Sequence, residues 1–437
     1  MYNTILLNTT KEKSFMSHMV GKEAYKQLET RLNQFPQGAP PSKTLYHILE
    51  LLFSEEEARL AALLPVRPFS IQKAAKVWGL SEHQTLLKLE HLCSKGVLLD
   101  LTDESGQVTY FLPPPMVGFF EFSLMRTRGD IDQKLLSELY HQYLAVEEDF
   151  IKDLFWGTET KFGRTFVNES VLSRENAIHV LDFERTTHLL KTASAISLSM
   201  CYCRHKMHHL GHDCYAPMET CMTFGATAHS LSKQGYGRLI DFEEAFDILH
   251  QCYDYNLVQC GENVREGGSF LCNCCGCCCE AMTTAKRFGL VNPIETTAFI
   301  PTIDTDSCVN CGKCQKVCPI ACIENTATEP GKVKLAPNPN LCLGCGICVR
   351  NCPKKCITLL RREKQILTPV NTTHRTILKA IEKGTLPHLI FDQGTYKSHR
   401  AMAAVLSVIL KLPPIKQVMA SKQMKSIYLD HLLRTKK

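Results

Sequence analysis

Two cysteine-rich segments in the C-terminal half of the chain repeat each other, and this repeat constrains the fold more than any other feature. The segments read SCVNCGKCQKVCPIACI and LCLGCGICVRNCPKKCI. Each contains C-x2-C-x2-C-x3-C-P, and every matched cysteine is displaced by 34 residues. The cysteines of the doubled motif are Cys308, Cys311, Cys314, Cys318, Cys342, Cys345, Cys348 and Cys352. A constant offset of this kind indicates an internal duplication.

The spacing within each half has a chemical reason. Three cysteines two residues apart wrap a tight loop, so three thiolates reach one [4Fe–4S] cube, while the fourth points to the other cube. The predicted ligands of cluster one are Cys308, Cys311, Cys314 and Cys352, and those of cluster two are Cys342, Cys345, Cys348 and Cys318. Gly312, Gly344 and Gly346 let the backbone turn closely and bring N–H groups toward sulfur.

Residues 301–360 resemble the bacterial two-cluster ferredoxins on these motifs. The resemblance implies two [4Fe–4S] clusters and an electron-transfer role. Cys322 and Cys356 stand where that family usually has a small residue that is not a ligand. We predict that both are buried thiols outside the clusters.

The chain has 23 cysteines, and 22 of them lie between Cys201 and Cys356. Two further motifs, CYCRHKMHHLGHDCYAPMETC and CNCCGCCCE, supply ten candidate metal ligands. They are Cys201, Cys203, Cys214, Cys221, Cys272, Cys274, Cys275, Cys277, Cys278 and Cys279. Many cysteines at such spacings, with no export signal, favour metal ligation over disulfides.

The first of these motifs has four thiolates, enough for one further [4Fe–4S] cluster. The second has more sulfur than one cube uses, so it could face two sites or hold a multi-iron cluster. Zinc is the alternative, because four histidines crowd the first motif; structural thiols and a redox disulfide remain as well. Arg204 could donate to a cluster sulfur or an anion, whereas Cys252 and Cys260 are interpreted as ordinary buried thiols.

The fold class predicted is α+β with several domains. We expect a mainly helical N-terminal half with a winged-helix-like segment, a central cysteine-rich helical domain, a ferredoxin-like module and a helical tail. The boundaries are 1–44 for a helical lead-in and linker, 45–113 for the winged-helix-like module, 114–300 for the helical domain with the cysteine-rich site, 301–360 for the ferredoxin domain and 361–437 for a basic tail. Aromatic residues in 114–200 are expected to form core.

Charge bears on the choice of partner. The sequence of helix, helix and hairpin in 45–113 resembles a winged helix. Residues 45–112 nevertheless hold 6 Lys and Arg against 9 Asp and Glu. DNA affinity depends on neutralising phosphates, so nucleic acid is not the expected partner. The tail, 361–437, holds 15 Lys and Arg against 4 Asp and Glu, which suits an acidic redox partner, a nucleic acid or an acidic surface of this chain.

No signal peptide, membrane-spanning run, dinucleotide fingerprint, phosphate loop or radical-SAM triad is recognised, and a cytoplasmic location is expected. The sequence therefore predicts an iron–sulfur electron-transfer protein or subunit with protein redox partners, two [4Fe–4S] clusters and a further central cluster, zinc being the alternative there. The alternatives are a reductase, or oxidoreductase component, with a catalytic cluster at CNCCGCCC, and a redox-sensing DNA-binding regulator. The whole chain resembles a group of cysteine-rich iron–sulfur proteins of anaerobes, which implies no particular reaction.

Overall fold

The computed structural model describes residues 23–289, 292–327, 333–363 and 368–391. Within these residues the chain forms two compact units. The first contains the described residues of 23–123, 127–150 and 383–391, and the second contains 124–126 and the described residues of 151–382. No helix in the described part of the chain is both long and apolar enough to cross a membrane.

The first unit is mainly helical and carries one β-hairpin. Strands β1 (Leu99–Thr102) and β2 (Val108–Phe111) pair antiparallel. The α-helices comprise 23–32, Lys43–Leu52, Glu55–Ala62, Ile71–Trp78, Glu82–Ser94, Phe120–Phe122, Gln133–His141 and Leu386–Ile390. Helices followed by a hairpin were predicted for this segment, while the resemblance to a winged helix stays a prediction.

Two details of the first unit differ from the sequence prediction. A single helix was expected over 45–64, but Ser54 begins a new one. Its Oγ accepts the N–H of Glu57, whose carboxylate accepts the N–H of Ser54, and this capping box satisfies two N–H groups at a helix start. The expected linker is packed rather than free, because Ala39 is fully buried and the Tyr143 hydroxyl donates to Pro40 O.

Aromatic side chains fill the core of the first unit, as predicted. Phe119, Phe120, Tyr140 and Tyr143 are almost fully buried. The rings of Phe119, Tyr140 and Tyr143 lie with their centroids 5.1, 4.8 and 6.3 Å from that of Phe120. Tilted and edge-to-face contacts of this kind stabilise a core beyond the area that they bury.

The second unit is built on a six-stranded antiparallel sheet, so the prediction of a helical domain for 114–300 needs correction. The strand order is β3-β7-β8-β5-β4-β6. The strands are β3 (Gly163–Thr165), β4 (Ile196–Met200), β5 (Glu219–Phe224), β6 (Arg238–Ile240), β7 (Val258–Glu262) and β8 (Phe270–Cys274). These strands are short, and β7 is buried along its whole length. The alternation of apolar and polar residues that identifies a half-buried strand in a sequence is therefore missing.

Helices and one apolar core complete this unit. The α-helices are Asp149–Trp156 at the boundary of the units, then Arg174–His179, Thr186–Thr192, Tyr202–His209, Gly225–Lys233, Phe242–Asp254, Glu280–Phe288, Lys313–Val317, Ile347–Arg350 and Thr372–Lys383. One face of the sheet, with Leu198, Met222 and Leu271, packs with Leu249 of helix Phe242–Asp254. The opposite face is left for polar and sulfur-bearing side chains.

The duplicated motif forms a duplicated structure. Its strands are β9 (Phe299–Ile303), paired with β12 (Ile357–Arg361), and β10 (Ile323–Asn325), paired with β11 (Leu335–Pro337). Gly312 and Gly346, displaced by 34 residues, precede equivalent short helices with φ of 68° and 84°. Residues 301–360, predicted as the ferredoxin domain, belong to the same compact unit as the large sheet. One link is the Asn168 N–H, which donates to Cys345 O at 2.9 Å.

Part of the predicted basic tail lies within the described residues. Helix Thr372–Lys383 includes the helix expected over 376–383, whereas the helix expected over 398–412 lies outside the described residues. Arg375 forms an ion pair with the buried Glu262 of β7 at 2.9 Å. This basic residue therefore meets an acidic group of its own chain.

Candidate metal centres

The large sheet sorts the cysteines of its strands onto one face. Successive residues of a strand point to opposite faces, so Cys272 and Cys274 of β8 lie opposite Leu271, which belongs to the apolar core. Cys260 of β7 pairs directly with Cys272 and shares its face. Cys221 of β5 shares it as well, because the thiols of Cys221 and Cys272 are hydrogen-bonded.

Seven thiols meet on this face, and we call them the sheet-face thiols. They are Cys201, Cys203, Cys221, Cys260, Cys272, Cys274 and Cys279. Side-chain interactions between neighbouring thiols connect them in the order Cys221, Cys272, Cys274, Cys279, Cys203 and Cys201, with Cys260 next to Cys274. Helices Tyr202–His209 and Glu280–Phe288 begin next to this group and fix three of its members at their N-terminal ends.

The sheet-face thiols border a space rather than a close-packed core. Five of them keep partial solvent-accessible area, namely Cys201, Cys203, Cys221, Cys272 and Cys274. They nevertheless lie deep: the neighbouring Cys203 side chain, and then burial, raise the pKa of the Cys201 thiol well above its ordinary value. The accessible area of these deep thiols leaves room beside them that a metal cluster could fill.

A second set of thiols lies beside the first, and we call it the compact thiol set. It consists of Cys214, Cys275, Cys277 and Cys278, whose sulfur atoms all lie within 4.8 Å of one another. Cys275 and Cys278 are buried, Cys214 is half-buried and Cys277 is exposed. Hydrogen bonds from Cys278 lower the pKa of the Cys275 thiol to about 4, and the Arg204 guanidinium acts in the same direction.

The structure groups the candidate cysteines differently from the sequence motifs. Cys214 was predicted to share one site with the other three cysteines of the first motif, but it joins the compact thiol set. Cys260 was interpreted as an ordinary buried thiol, but it lies among the sheet-face thiols, where its side chain interacts with that of Cys274. Only strand pairing, with Cys260 opposite Cys272, reveals that placement. Cys252 is fully buried in helix Phe242–Asp254, as expected of a structural thiol.

The histidines of the first motif have other contacts. The compact thiol set contains none of them. His205 Nδ1 lies 2.8 Å from Leu124 O, and its Nε2 lies 3.1 Å from Nε2 of His209. His208 pairs with Asp213 at 2.6 Å. The compact set is therefore a site of four cysteines and not the mixed cysteine–histidine site that the sequence offered as an alternative.

Arg204 is a buried cation between the two thiol sets. It is 1% exposed, and its Nη atoms donate to Pro217 O, Thr220 Oγ1 and Asn273 O at 2.6–2.9 Å. All three acceptors are oxygen atoms, and Nε of Arg204 is buried with no acceptor among the described residues, so donation to a cluster sulfur or an anion stays a prediction. Burial lowers the pKa of Arg204, but the surrounding thiols outweigh burial and raise it. Those thiols belong to both sets and include Cys201, Cys275, Cys214 and Cys274.

The four cysteines predicted to bind cluster one line a single pocket. They are Cys308, Cys311, Cys314 and Cys352. Cys311 is exposed, so this pocket reaches the surface. The N–H of Asn310 lies 3.4 Å from Cys308 Sγ. N–H groups aimed at sulfur suit a thiolate that holds a metal cluster.

The four cysteines predicted to bind cluster two also come together, deeper in the fold. They are Cys318, Cys342, Cys345 and Cys348. Burial and then the charges of neighbouring thiols, Cys318 among them, raise the pKa of both Cys345 and Cys348. Both predicted sets of four are thus assembled without any shared residue.

Cys322 and Cys356 are buried, as expected, but they touch the predicted ligands. Cys322 Sγ lies 3.6 Å from Cys318 Sγ, and their hydrogen bond lowers the pKa of the Cys318 thiol to about 6. Cys356 Sγ lies 3.5 Å from Cys352 Sγ. Each ferredoxin set therefore has one additional thiol in contact with it.

The cluster-two cysteines border both the cluster-one cysteines and the central thiols. Cys348 interacts electrostatically with Cys314, a predicted cluster-one ligand. Cys345 interacts with Cys260 of the sheet-face thiols. Gly276, inside CNCCGCCC, packs on Pro319, since a Cβ at Gly276 would lie 2.5 Å from Pro319 O. The sulfur groups therefore follow one another in series.

Comparison with known proteins supports the ferredoxin part of this description. Residues 300–353 match the family described as a 4Fe–4S dicluster domain. The prediction of a ferredoxin-type domain in the C-terminal part is confirmed, and with the many cysteines it points to an iron–sulfur electron-transfer role. No curated protein and no solved structure matches the chain. The wider resemblance to cysteine-rich proteins of anaerobes stays a prediction.

Proposed function

We propose that this chain is an electron-transfer protein or redox subunit in which electrons move between a protein partner and the centre of the second unit. The observation that carries the proposal is the serial order of its sulfur groups, from an exposed set to a buried set to the sheet-face thiols. A [4Fe–4S] cluster, when bound, takes up and releases single electrons. The chain's own residues hold the sites in sequence and shield the inner ones from water.

The ligand sets are assigned as the sequence predicts. Cluster one is assigned to Cys308, Cys311, Cys314 and Cys352, and cluster two to Cys318, Cys342, Cys345 and Cys348. The common pocket of the first set and the mutual interactions of the second support this assignment. In both sets the fourth ligand comes from the other half of the repeat, as the x3 spacing before each proline requires.

The sheet-face thiols are assigned to a further iron–sulfur cluster. Seven thiols in one group are more than one ion can use, and thiolates are the ligands that iron–sulfur clusters prefer. The buried Arg204 offsets the negative charge that such a site would concentrate. Because Cys260 of the sheet-face thiols interacts electrostatically with Cys345, cluster two is assigned as the neighbour from which this centre receives electrons.

The partner is assigned to the face around cluster one and is a protein with an acidic contact surface. Four exposed lysines surround the pocket there, namely Lys313, Lys316, Lys354 and Lys355. The exposed Asp304 and Asp306, which precede Cys308, supply only two negative charges, so the net charge of this face remains positive. Nucleic acid is not proposed as a partner, because Lys88, the only lysine of helix Glu82–Ser94, pairs with Glu56 at 2.7 Å.

Oxidation of the reduced protein by two small oxidants of opposite charge tests this proposal. Anaerobically purified protein, analysed first for iron and sulfide, is reduced and mixed with anionic ferric EDTA or cationic hexaamminecobalt. Attraction between the lysines and an anionic oxidant speeds their encounter, and salt screens that attraction. Oxidation by ferric EDTA should therefore slow when salt is added, and it should be slower in the double variant Lys313→Gln/Lys354→Gln. Oxidation by hexaamminecobalt should not slow. A protein with fewer than about eight irons per chain would contradict the two clusters.

A reductase with a catalytic cluster is the second candidate function. The observation that favours it is the accessible area that five of the sheet-face thiols keep, where a cluster with one open iron would meet a small substrate. Steady electron consumption by the reduced protein on adding a small acceptor, abolished by Cys274→Ser but not by the lysine substitutions, would favour this function over a pure carrier.

A further inference from the structure

We propose that Cys214, Cys275, Cys277 and Cys278 bind one structural Zn²⁺ ion that is separate from every iron–sulfur cluster. The four cysteines come from two segments, the loop after helix Tyr202–His209 and the turn between β8 and helix Glu280–Phe288. The site does not depend on the electron-transfer proposal, because it shares no thiol with the ferredoxin sets or with the sheet-face thiols.

The distances between the sulfur atoms fit a single ion. Zinc–thiolate bonds of about 2.3 Å in a tetrahedron place the sulfur atoms about 3.8 Å apart. Cys214 Sγ lies 3.6 Å from Cys275 Sγ and 3.5 Å from Cys277 Sγ. Cys277 and Cys278 are 3.6 Å apart, and no pair exceeds 4.8 Å. The ligands of a cube bind four different irons and are spread more widely, so this set is too compact for one.

The surroundings of the set suit four bound thiolates. Four thiolates on a divalent ion leave a net negative charge, and two cations adjoin the set. Arg204 interacts with Cys275 and Cys214, and Lys286 donates to Gly276 O within the turn itself. The protein thus supplies counter-charge for a metal thiolate.

Zinc is favoured over iron at this site for two reasons. The site already has four protein ligands, and closed four-cysteine sites are the usual structural zinc sites. The same ligands bind Zn²⁺ more tightly than Fe²⁺ in the Irving–Williams order. The role follows from Gly276, which lies between two of the ligands and packs on Pro319. An ion here fixes the turn against the segment that carries Cys318.

Metal analysis of the full-length protein, purified anaerobically without added zinc, tests the assignment. We expect one zinc per chain, with a zinc X-ray absorption spectrum that shows four sulfur neighbours at about 2.3 Å. Cys277→Ser should lose that zinc while iron and sulfide per chain stay unchanged. This variant is chosen because Cys277 is exposed and contributes least to the core. Cys214→Ser, in the other segment, should have the same effect.

The matched control is Cys252→Ala, a nearby buried thiol outside the set, which should keep both zinc and iron. Circular dichroism and the iron content show whether each variant has folded. Zinc-free wild-type protein, a single iron in place of zinc, or zinc that persists in both serine variants would overturn the proposal. Loss of iron together with zinc in Cys277→Ser would overturn the separation of this site from the clusters.

Discussion

At the scale of single residues, Arg204 indicates that the thiols of the central region are not all neutral. The guanidinium is buried and donates only to neutral oxygen atoms, yet four thiols of two sets lie near it. A buried cation without counter-charge is costly. The arrangement is stable when thiols around it are ionised, and metal binding is what ionises several adjacent thiols at neutral pH. The arginine that follows Cys203 is therefore part of the metal chemistry without being a ligand.

Substitution of Arg204 should reveal this coupling. We expect Arg204→Gln to lower the free energy of unfolding by about 2–4 kcal/mol, because it removes charge-assisted hydrogen bonds and leaves acceptors unpaired. Iron and zinc per chain should fall as well. Anaerobic chemical denaturation and metal analysis measure both effects. The control is Arg238→Gln, which removes an exposed ion pair with Glu244 and should change neither quantity. Full metal content in Arg204→Gln would contradict the coupling.

Lys206 and Glu280 form an ion pair in which both side chains are buried. Each partner follows a cysteine motif, so the pair joins the two segments that carry the central thiols. Glu280→Ala should cost about 3–5 kcal/mol, because it leaves the Lys206 ammonium buried without a partner. The double variant Lys206→Met/Glu280→Leu should recover most of that loss in the same denaturation assay. A double variant as unstable as Glu280→Ala would show that the pair has a role beyond compensating its own charges.

Strand β8 shows at the scale of elements how much of the site could be predicted from sequence. The motif CNCCGCCC was expected to face two sites, and in strand β8 adjacent side chains do point in different directions. That separates Cys274 from Cys275 without any structure. The remaining grouping depends on which strands are neighbours. Cys260 joins the site because β7 pairs with β8, and Cys214 leaves the first motif because its loop folds toward the turn after β8. Pairing between distant strands has no local sequence pattern.

At the scale of elements, the prediction concerns the turn formed by Cys275, Gly276 and Cys277. A Cβ at Gly276 would lie 2.5 Å from Pro319 O and 3.0 Å from its Cα, and neither backbone atom can move freely. Gly276→Ala should therefore separate the turn from Pro319 and destabilise the protein by about 1–3 kcal/mol, with partial loss of zinc. Gly129→Ala, which meets no atom within 4 Å, should be neutral. Thermal unfolding and zinc analysis test this prediction. A Gly276→Ala variant with unchanged stability and zinc content would contradict the close contact.

At the scale of the whole molecule, the second of the two compact units joins a duplicated ferredoxin-type module to a sheet-based cysteine-rich region. The duplication was predictable because both halves carry the same local motif. The union of the two regions was not, because it depends on contacts between distant segments. Arg350, for example, donates to Tyr253 O and pairs with Asp254 at 2.6 Å. The two predicted cluster sites are therefore not equivalent, since the cysteines of cluster two border the central region and those of cluster one open to the surface.

Because the two predicted cluster sites differ in exposure and in their neighbours, loss of one cluster should have a different effect from loss of the other. Cys311→Ser should remove about four irons per chain, leave the central metals in place and lower the melting temperature only slightly, because Cys311 is exposed. Cys345→Ser should remove cluster two and also disturb the sheet-face thiols, because Cys345 adjoins Cys260 and its carbonyl accepts the Asn168 N–H. We therefore expect Cys345→Ser to lose more iron and to unfold at a lower temperature. Metal analysis and anaerobic calorimetry measure both quantities. Equal losses in the two variants would mean that the clusters are equivalent and that cluster two does not connect to the central region.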